Sequence, residues 1–313
     1  MEYKLIPAQN PKNIVDRIFK KFEREFLTIP KRKNIRDKFI SSFAADDTSE
    51  KFSFSIHCLL CSRDVQMAVC TFLAFYKLSN IKFMITFHDD GSLNDEDEKY
   101  ILKYINARVI RRNESNHETQ KALKSFPAIM EYRNQQVMAL KLIDVKLFSH
   151  GNRIAYIDSD ILFFKNPVFF INTLQQQMVT TNYFNKDLYN AYVEEPAKIF
   201  DHTGVRPYDK VNAGLWVMNA QDIDLNQIES WLQTNFFKQH ANKYLLDQTF
   251  ISMLANNSSS KVQYFPGDYD VDLFKDPDNC ICKHYVGKIR HGFELEGLRY
   301  LLKNHSNIHF EGR

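Results

Sequence analysis

Two aspartates one residue apart, Asp158 and Asp160, interrupt the apolar run R-I-A-Y-I-D-S-D-I-L-F-F-K over residues 153–165. The run is rich in isoleucine and aromatic residues, which suits a buried strand. Side chains alternate along a strand with period two, so both carboxylates are expected on one side of it. Two like charges in an apolar setting are costly unless a cation or hydrogen bonds offset them. A divalent metal held by hard oxygen ligands at the end of a strand is the economical explanation. Mg²⁺ usually takes few protein carboxylates and completes its shell with water and phosphate oxygens. The stretch therefore points to a site for a metal–diphosphate. The plainer alternative is a strand end whose aspartates meet solvent or cap a turn. Because D-x-D alone is common, the surrounding chain has to decide.

The bulk properties narrow the classes. The chain has 313 residues, 44% of them apolar and 25% charged, as in an ordinary globular protein with one large domain or a domain and an appendage. A net charge of +3 gives no argument for nucleic acid. The start, M-E-Y-K, lacks an apolar leader. The most apolar stretch, 68–87, is broken by Lys77, Ser79, Asn80 and Lys82, so no transmembrane helix is expected. Five cysteines in so long a chain do not form a disulfide framework. The expectation is a reduced, cytoplasmic protein.

The elements that must position the aspartates follow from periodicity. Residues 1–50 are expected to form a basic helical appendage. Ile14, Ile18, Phe19, Phe22 and Phe26 share a helical face, Pro30 ends the helix, and Lys31-Arg32-Lys33 follow. That face either docks on the main domain or, through residues 11–38, lies peripherally on the anionic inner face of a membrane. Residues 51–313 read as the main domain. Strands are expected at 54–61, 81–87, 107–110 and through Asp158, with helices at 65–77, 94–106 and 138–148 between them. Such alternation means right-handed β-α-β units and a mostly parallel sheet, which binds ligands at the carboxyl ends of its strands. Further on come a strand at 211–218, helices at 227–239 and 245–254, and strands at 262–265 and 281–286.

Four short motifs stand in order along this frame: A-Y-I-D-S-D after A-L-K-L, V-N-A-G-L at 211–215, L-D-Q at 246–248, and H-Y-V-G-K-I-R at 284–290. In that order they resemble the metal-dependent GT-A glycosyltransferases. The resemblance is greatest to retaining family 8, which includes glycogenin and lipopolysaccharide galactosyltransferases, and it runs from about residue 53 to about 292. It implies a Rossmann-like α/β nucleotide-sugar transferase fold. It also implies a nucleoside-diphosphate sugar donor, UDP-linked by preference.

The implied roles fall on particular residues. Asp158, Asp160 and His284 would ligate Mn²⁺ or Mg²⁺. Arg290, standing where the family has lysine, would hold the donor diphosphate, to which a guanidinium can bind bidentately. Gly287 would let the backbone approach the phosphates. Asn212, Ala213 and Gly214 would line the sugar site. Asp247 would hold sugar hydroxyls, with Gln248 beside the anomeric carbon. Lys141 and Ser159 would contact the donor, and Ser62 and Asp64 would approach its base and ribose. Neither Asp247 nor Gln248 is a persuasive general base, which fits retention of configuration. The acceptor would be a hydroxyl of a saccharide, a lipid-linked glycan or a protein. Ala139 stands where the family often has arginine.

Other constellations fail on their spacing. Cys58-x-x-Cys61 with Cys280-x-Cys282 could suggest zinc, but i and i+3 of a strand face opposite ways. Asp268, Asp270 and Asp272 begin like a calcium loop, yet Leu273 occupies the glycine position. The remaining alternatives are an inverting enzyme with Asp268 or Asp270 as base, a sugar-nucleotide pyrophosphorylase and a non-catalytic binding scaffold. The pyrophosphorylase should carry a glycine-rich loop after the first strand, where this chain has Cys-Ser-Arg-Asp.

Overall fold

The computed structural model describes residues 27–43, 50–175, 180–271 and 275–305. The apolar face expected over Ile14–Phe26 lies outside these residues, as does Asp272. The first described helix, α1 (Ile29–Phe43), corrects one expectation. Residues 27–43 are helical through Pro30, so the proline does not end the helix there. Phe39, Ile40 and Phe43 of α1 are buried in the main core, so this segment docks on the body.

Next come β1 (Glu50–Leu60), α2 (Val65–Ser79), β2 (Ile81–Asp89), α3 (Asp95–Tyr104) and β3 (Ala107–Ile110). Helices α4 (Arg112–Ala122), α5 (Pro127–Gln135) and α6 (Ile143–Phe148) lead to β4 (Arg153–Ile157) and β5 (Ile161–Phe163). The helix expected over 138–148 is divided, because Val137–Lys141 is a 3-10 turn. The second half holds α7 (Val168–Gln175), β6 (Thr181–Lys186), α8 (Pro196–Thr203) and β7 (Val211–Asn219). Helices α9 (Leu225–Gln233) and α10 (Asn235–Lys238) replace the single helix expected there. Thr234 ends the first and caps the second, accepting from the Phe237 N–H. The chain continues through α11 (Leu246–Asn257), β8 (Lys261–Tyr264), β9 (Tyr269–Asp270), β10 (Cys282–His284), a π-helical turn Phe293–Leu298 and α12 (Arg299–His305).

The architecture is α/β. A seven-stranded sheet runs in the order β3-β2-β1-β4-β7-β6-β8. β1 is parallel to both β2 and β4, β2 to β3, and β6 to β8, while β7 is antiparallel to β4 and β6. The expected mostly parallel sheet is thus present. Strand order reverses between β1 and β4, which is the switch point where open α/β sheets bind ligands. A smaller sheet, β5-β10-β9, packs beside it.

Both faces of the large sheet are covered, so β4 and β7 read as continuous apolar runs. Ala155 and Ile157 face one cluster with α1 and α2, while Ile154 and Tyr156 face another with α5 and α11. Tyr156 stacks on its cross-strand partner Trp216 with ring centroids 5.5 Å apart. All five cysteines are free thiols. Among the described residues no helix is long and apolar enough to cross a membrane.

Candidate functional site

Asp158, Asp160 and His284 converge, with one ligand atom from each lying within 4.8 Å of the others. The route differs from the one expected. β4 ends at Ile157, and Asp158-Ser159-Asp160 form a turn between β4 and β5. The carboxylates are brought together by this turn, closed by the Ile161 N–H donating to the Asp158 carbonyl at 3.2 Å, so strand alternation does not apply. Thr71 of α2 pins the turn by donating its hydroxyl to the Ser159 carbonyl at 2.8 Å. The small sheet delivers the histidine: β10 runs antiparallel to β5 with His284 opposite Ile161, and the Tyr285 N–H donates to the Asp160 carbonyl at 2.9 Å.

Asn212 determines how the histidine presents itself. Its Nδ2 donates to Asp187 Oδ2 at 2.9 Å and its Oδ1 accepts from the Gly214 N–H at 3.0 Å, which fixes the amide's orientation. The same Oδ1 lies 3.0 Å from His284 Nδ1. An amide oxygen can only accept, so Nδ1 carries the proton. The other nitrogen, Nε2, faces Asp160 Oδ1 at 3.0 Å and Asp158 Oδ2 at 3.8 Å. A bare lone pair against carboxylate oxygens is repulsive. Either a second proton on the ring or a metal cation has to lie between them. Two carboxylates and an imidazole, oriented from behind by a hydrogen-bonded amide, fit Mn²⁺ or Mg²⁺.

Gly214 makes room for this ring. A Cβ there would sit 2.2 Å from His284 Cε1, a distance that no real contact tolerates. Asp158 is held from the other side. Lys141 Nζ lies 2.8 Å from its Oδ2, and the Tyr156 hydroxyl donates to its Oδ1 at 2.8 Å. Burial works against the Lys141 charge, but Asp158 and Asp247 outweigh it and hold the ammonium above the usual lysine range. For Asp160, burial works against the anion. His284, Arg290 and Lys141 outweigh it and hold the carboxyl below its ordinary range.

Arg290 joins the two ends of the chain's site. Its Nη2 donates to Asp64 Oδ2 at 2.7 Å, and its Nε lies 3.3 Å from Asp160 Oδ2. Asp64 closes the one-turn 3-10 helix Ser62–Asp64 just after β1, where the Ser62 N–H donates to Ser92 Oγ at 2.9 Å. Gly287, at φ +43, opens the turn that carries Arg290; a side chain there would be strained.

Asp247 and Gln248 stand in the first turn of α11 and are buried. Burial pushes the Asp247 carboxyl up to about 6, against the pull of Lys141. Gln248 is engaged at both ends of its amide, accepting from the Ala213 N–H at 3.1 Å and donating to the Ala191 carbonyl at 2.9 Å.

Three contributors escaped the sequence reading: Tyr156, Thr71 and Asp187. Tyr156 carried a signal, standing two residues before Asp158 with its hydroxyl directed the same way. Asp187 carried none, because its partner Asn212 lies 25 residues along the chain.

No protein-family model matches the chain, and no curated protein is detectably similar to it. Several solved structures are similar in shape. Mouse xyloside xylosyltransferase 1, in its apo form, is 12% identical, covering 75% of this chain and 97% of its own, with a TM-score of 0.49. The galactosyltransferase LgtC with donor and acceptor sugar analogs is 15% identical over 74% of this chain and 87% of its own, with a TM-score of 0.42. Core-mannan synthase A from Aspergillus fumigatus, in its Mn/GDP form, is 10% identical over 72% of this chain and 75% of its own, with a TM-score of 0.45. These are likenesses, and the site's chemistry stands on its own residues.

Proposed function

We propose that this chain is a metal-dependent glycosyltransferase that moves a sugar from a nucleoside-diphosphate donor to a hydroxyl acceptor. The observation that carries the reading is the orientation of His284, whose Nε2 is turned onto two aspartates at the switch point of the sheet. Residues 51–313 would carry the activity, behind an N-terminal segment of residues 1–50. The nucleotide is taken as uridine diphosphate on the sequence resemblance to retaining family 8.

Asp158, Asp160 and His284 would hold Mn²⁺ or Mg²⁺, which when bound neutralises charge on the departing diphosphate. Arg290 would turn from Asp64 and Asp160 onto the diphosphate, with the Gly287 backbone beside it. Ser62 and Asp64 would meet the nucleoside, and Ser159 and Lys141 would border the phosphates. Asn212, Ala213 and Gly214 would line the sugar, whose hydroxyls Asp247 would bind. Gln248 would lie beside the anomeric carbon, with its amide fixing Ala213 and Ala191.

Retention is favoured because neither Asp247 nor Gln248 is a persuasive general base, Gln248 having both ends of its amide engaged, and because the resembled family retains configuration. The bond between the anomeric carbon and the bridging phosphate oxygen breaks, the acceptor oxygen bonds the same face, and the leaving phosphate oxygen takes the acceptor proton. The test is release of nucleotide from a panel of UDP- and GDP-sugars with Mn²⁺, wild type beside Asp160→Ala. Release that the substitution or a chelator abolishes supports the reading. No metal-dependent binding of any nucleotide, together with no release, overturns it in favour of a scaffold.

A further inference from the structure

Asp64 and Arg290 meet beside Asp160, yet each is carried by a single turn. Asp64 ends a one-turn 3-10 helix, closed by its own N–H donating to the Cys61 carbonyl at 2.9 Å. Arg290 follows a second such turn, Gly287–Ile289, and its N–H donates to the Gly287 carbonyl at 3.2 Å. Turns closed by local bonds keep their own shape but do not fix their distance from one another. Ile289 and Phe293 root the second turn in the core, and the separation of the two turns still needs a link.

One side chain of α1 reaches the flank of both. Arg36 donates from Nε to Gln66 Oε1 at 3.1 Å and from Nη1 to Glu294 Oε1. Gln66 stands two residues after Asp64, in the first turn of α2. Glu294 stands four residues after Arg290, in the π-helical turn. The guanidinium therefore spans the two segments that carry the Asp64–Arg290 pair. Its Glu294 end is firm, because that carboxylate is fully buried and also takes Arg32 Nε at 2.8 Å and Nη2 at 3.2 Å. Its own backbone is firm too, since Phe39, Ile40 and Phe43 of the same helix lie in the core. A planar fork with two fixed partners sets a distance, which a single ammonium cannot do.

We propose that Arg36 is a positioning residue for the diphosphate site. Acting through Gln66 and Glu294, it sets the separation of Asp64 and Arg290, and it makes the N-terminal helix a working part of that site. The consequence for nucleoside-diphosphate binding rests on the glycosyltransferase reading, whereas the clamp itself does not.

The test pairs amide hydrogen exchange with calorimetric titration of UDP in the presence of Mn²⁺. It uses the full chain as wild type, Arg36→Gln, Arg36→Lys, Gln66→Leu and Lys31→Gln. Arg32 keeps Glu294 paired in every variant, and Gln66→Leu leaves the ion pairs untouched, so it carries the test even if Arg36→Gln unfolds. Exchange should rise at 62–64 and 287–290 in the Arg36 and Gln66 variants. UDP should bind them roughly threefold to thirtyfold more weakly, the scale on which a contact network couples to a distant site. Arg36→Lys returns the charge to Glu294 without the fork, so it should rescue neither readout, although it would rescue a merely structural ion pair. Lys31→Gln removes an exposed charge from the same helix and should match wild type. Unchanged exchange at both segments with unchanged affinity would overturn the clamp. Exchange that rises evenly along the chain while affinity holds would overturn it in favour of a structural pair. A rise confined to the two segments, in a protein that binds no UDP even as wild type, would keep the clamp and remove the transferase reading.

Discussion

Asn212 Oδ1 lies 3.0 Å from His284 Nδ1, and this contact sets which ring nitrogen faces the aspartates. Asn212→Leu keeps the volume but removes the acceptor. The ring then loses its preferred tautomer, and a partner behind a metal ligand typically matters tenfold to hundredfold in affinity. Mn²⁺ binding measured by titration calorimetry should weaken by about that factor. Unchanged affinity would show that Asn212 does not orient the histidine.

Gly214→Ala tests the same geometry from the opposite side. The added methyl would lie 2.2 Å from His284 Cε1, so the ring has to move. Overpacking of this kind costs about 1–3 kcal/mol, which a chain of this size should survive. The expected outcome is a folded protein, by urea unfolding, that has lost Mn²⁺ affinity. Retained affinity would mean the ring has somewhere else to go.

Asp247 gives a pH-dependent prediction. Its carboxyl is raised from an ordinary 3.8 to about 6 by burial. Raised carboxyls favour the protonated folded state, so this stability is present below pH about 4 and is lost as pH rises through about 6. Asp247→Asn avoids the loss. The variant should match wild type near pH 4 and exceed it by up to about 3 kcal/mol at pH 7, while losing transfer activity. Denaturant titrations at the two pH values settle the matter, and a constant difference would contradict it.

Glu294 is fully buried in the π-helical turn that follows Arg290, and it receives two arginines of α1. Arg32 Nε donates at 2.8 Å, and Arg36 Nη1 donates to the other oxygen. Removing both arginines leaves an uncompensated buried carboxylate, which costs about 3–5 kcal/mol. Glu294→Gln leaves cations that still reach water. The double variant Arg32→Gln/Arg36→Gln should therefore be the less stable of the two in urea. The reverse order would mean the pair does not bind α1 to the body.

Much of the first half was legible because β1–α2–β2–α3–β3 alternate cleanly and each element keeps its own period. The meeting of the D-x-D pair with His284 follows from the motif order, but the turn that brings them together does not. Ile161–Phe163 continues the apolar pattern of β4, so nothing in the run marks the turn where the chain changes sheets. The helices at 138–148 and 227–239 were read as single because apolar periodicity continues through Leu142 and Thr234, where the backbone turns. Lys141 could not be distinguished from a surface lysine, since only the folded 3-10 turn aims it at Asp158. Pro30 suggests a stop because proline removes a backbone donor, yet the helical residues run through it.

Arg290 and Asp64 meet across 226 residues. Asp64, just after the first strand, pairs with its neighbour Arg63, but its second counter-charge, Arg290, is not made until nearly the whole polypeptide exists. During synthesis, which proceeds from the N-terminus, the large sheet can begin to pair while β10 is still unmade. Neither His284 nor Arg290 is present at that stage. On the proposed reading, the residues needed to hold metal and diphosphate together would be complete only with the last strand. Such long-range closure also slows folding. A chain cut before residue 284 would lack both His284 and Arg290.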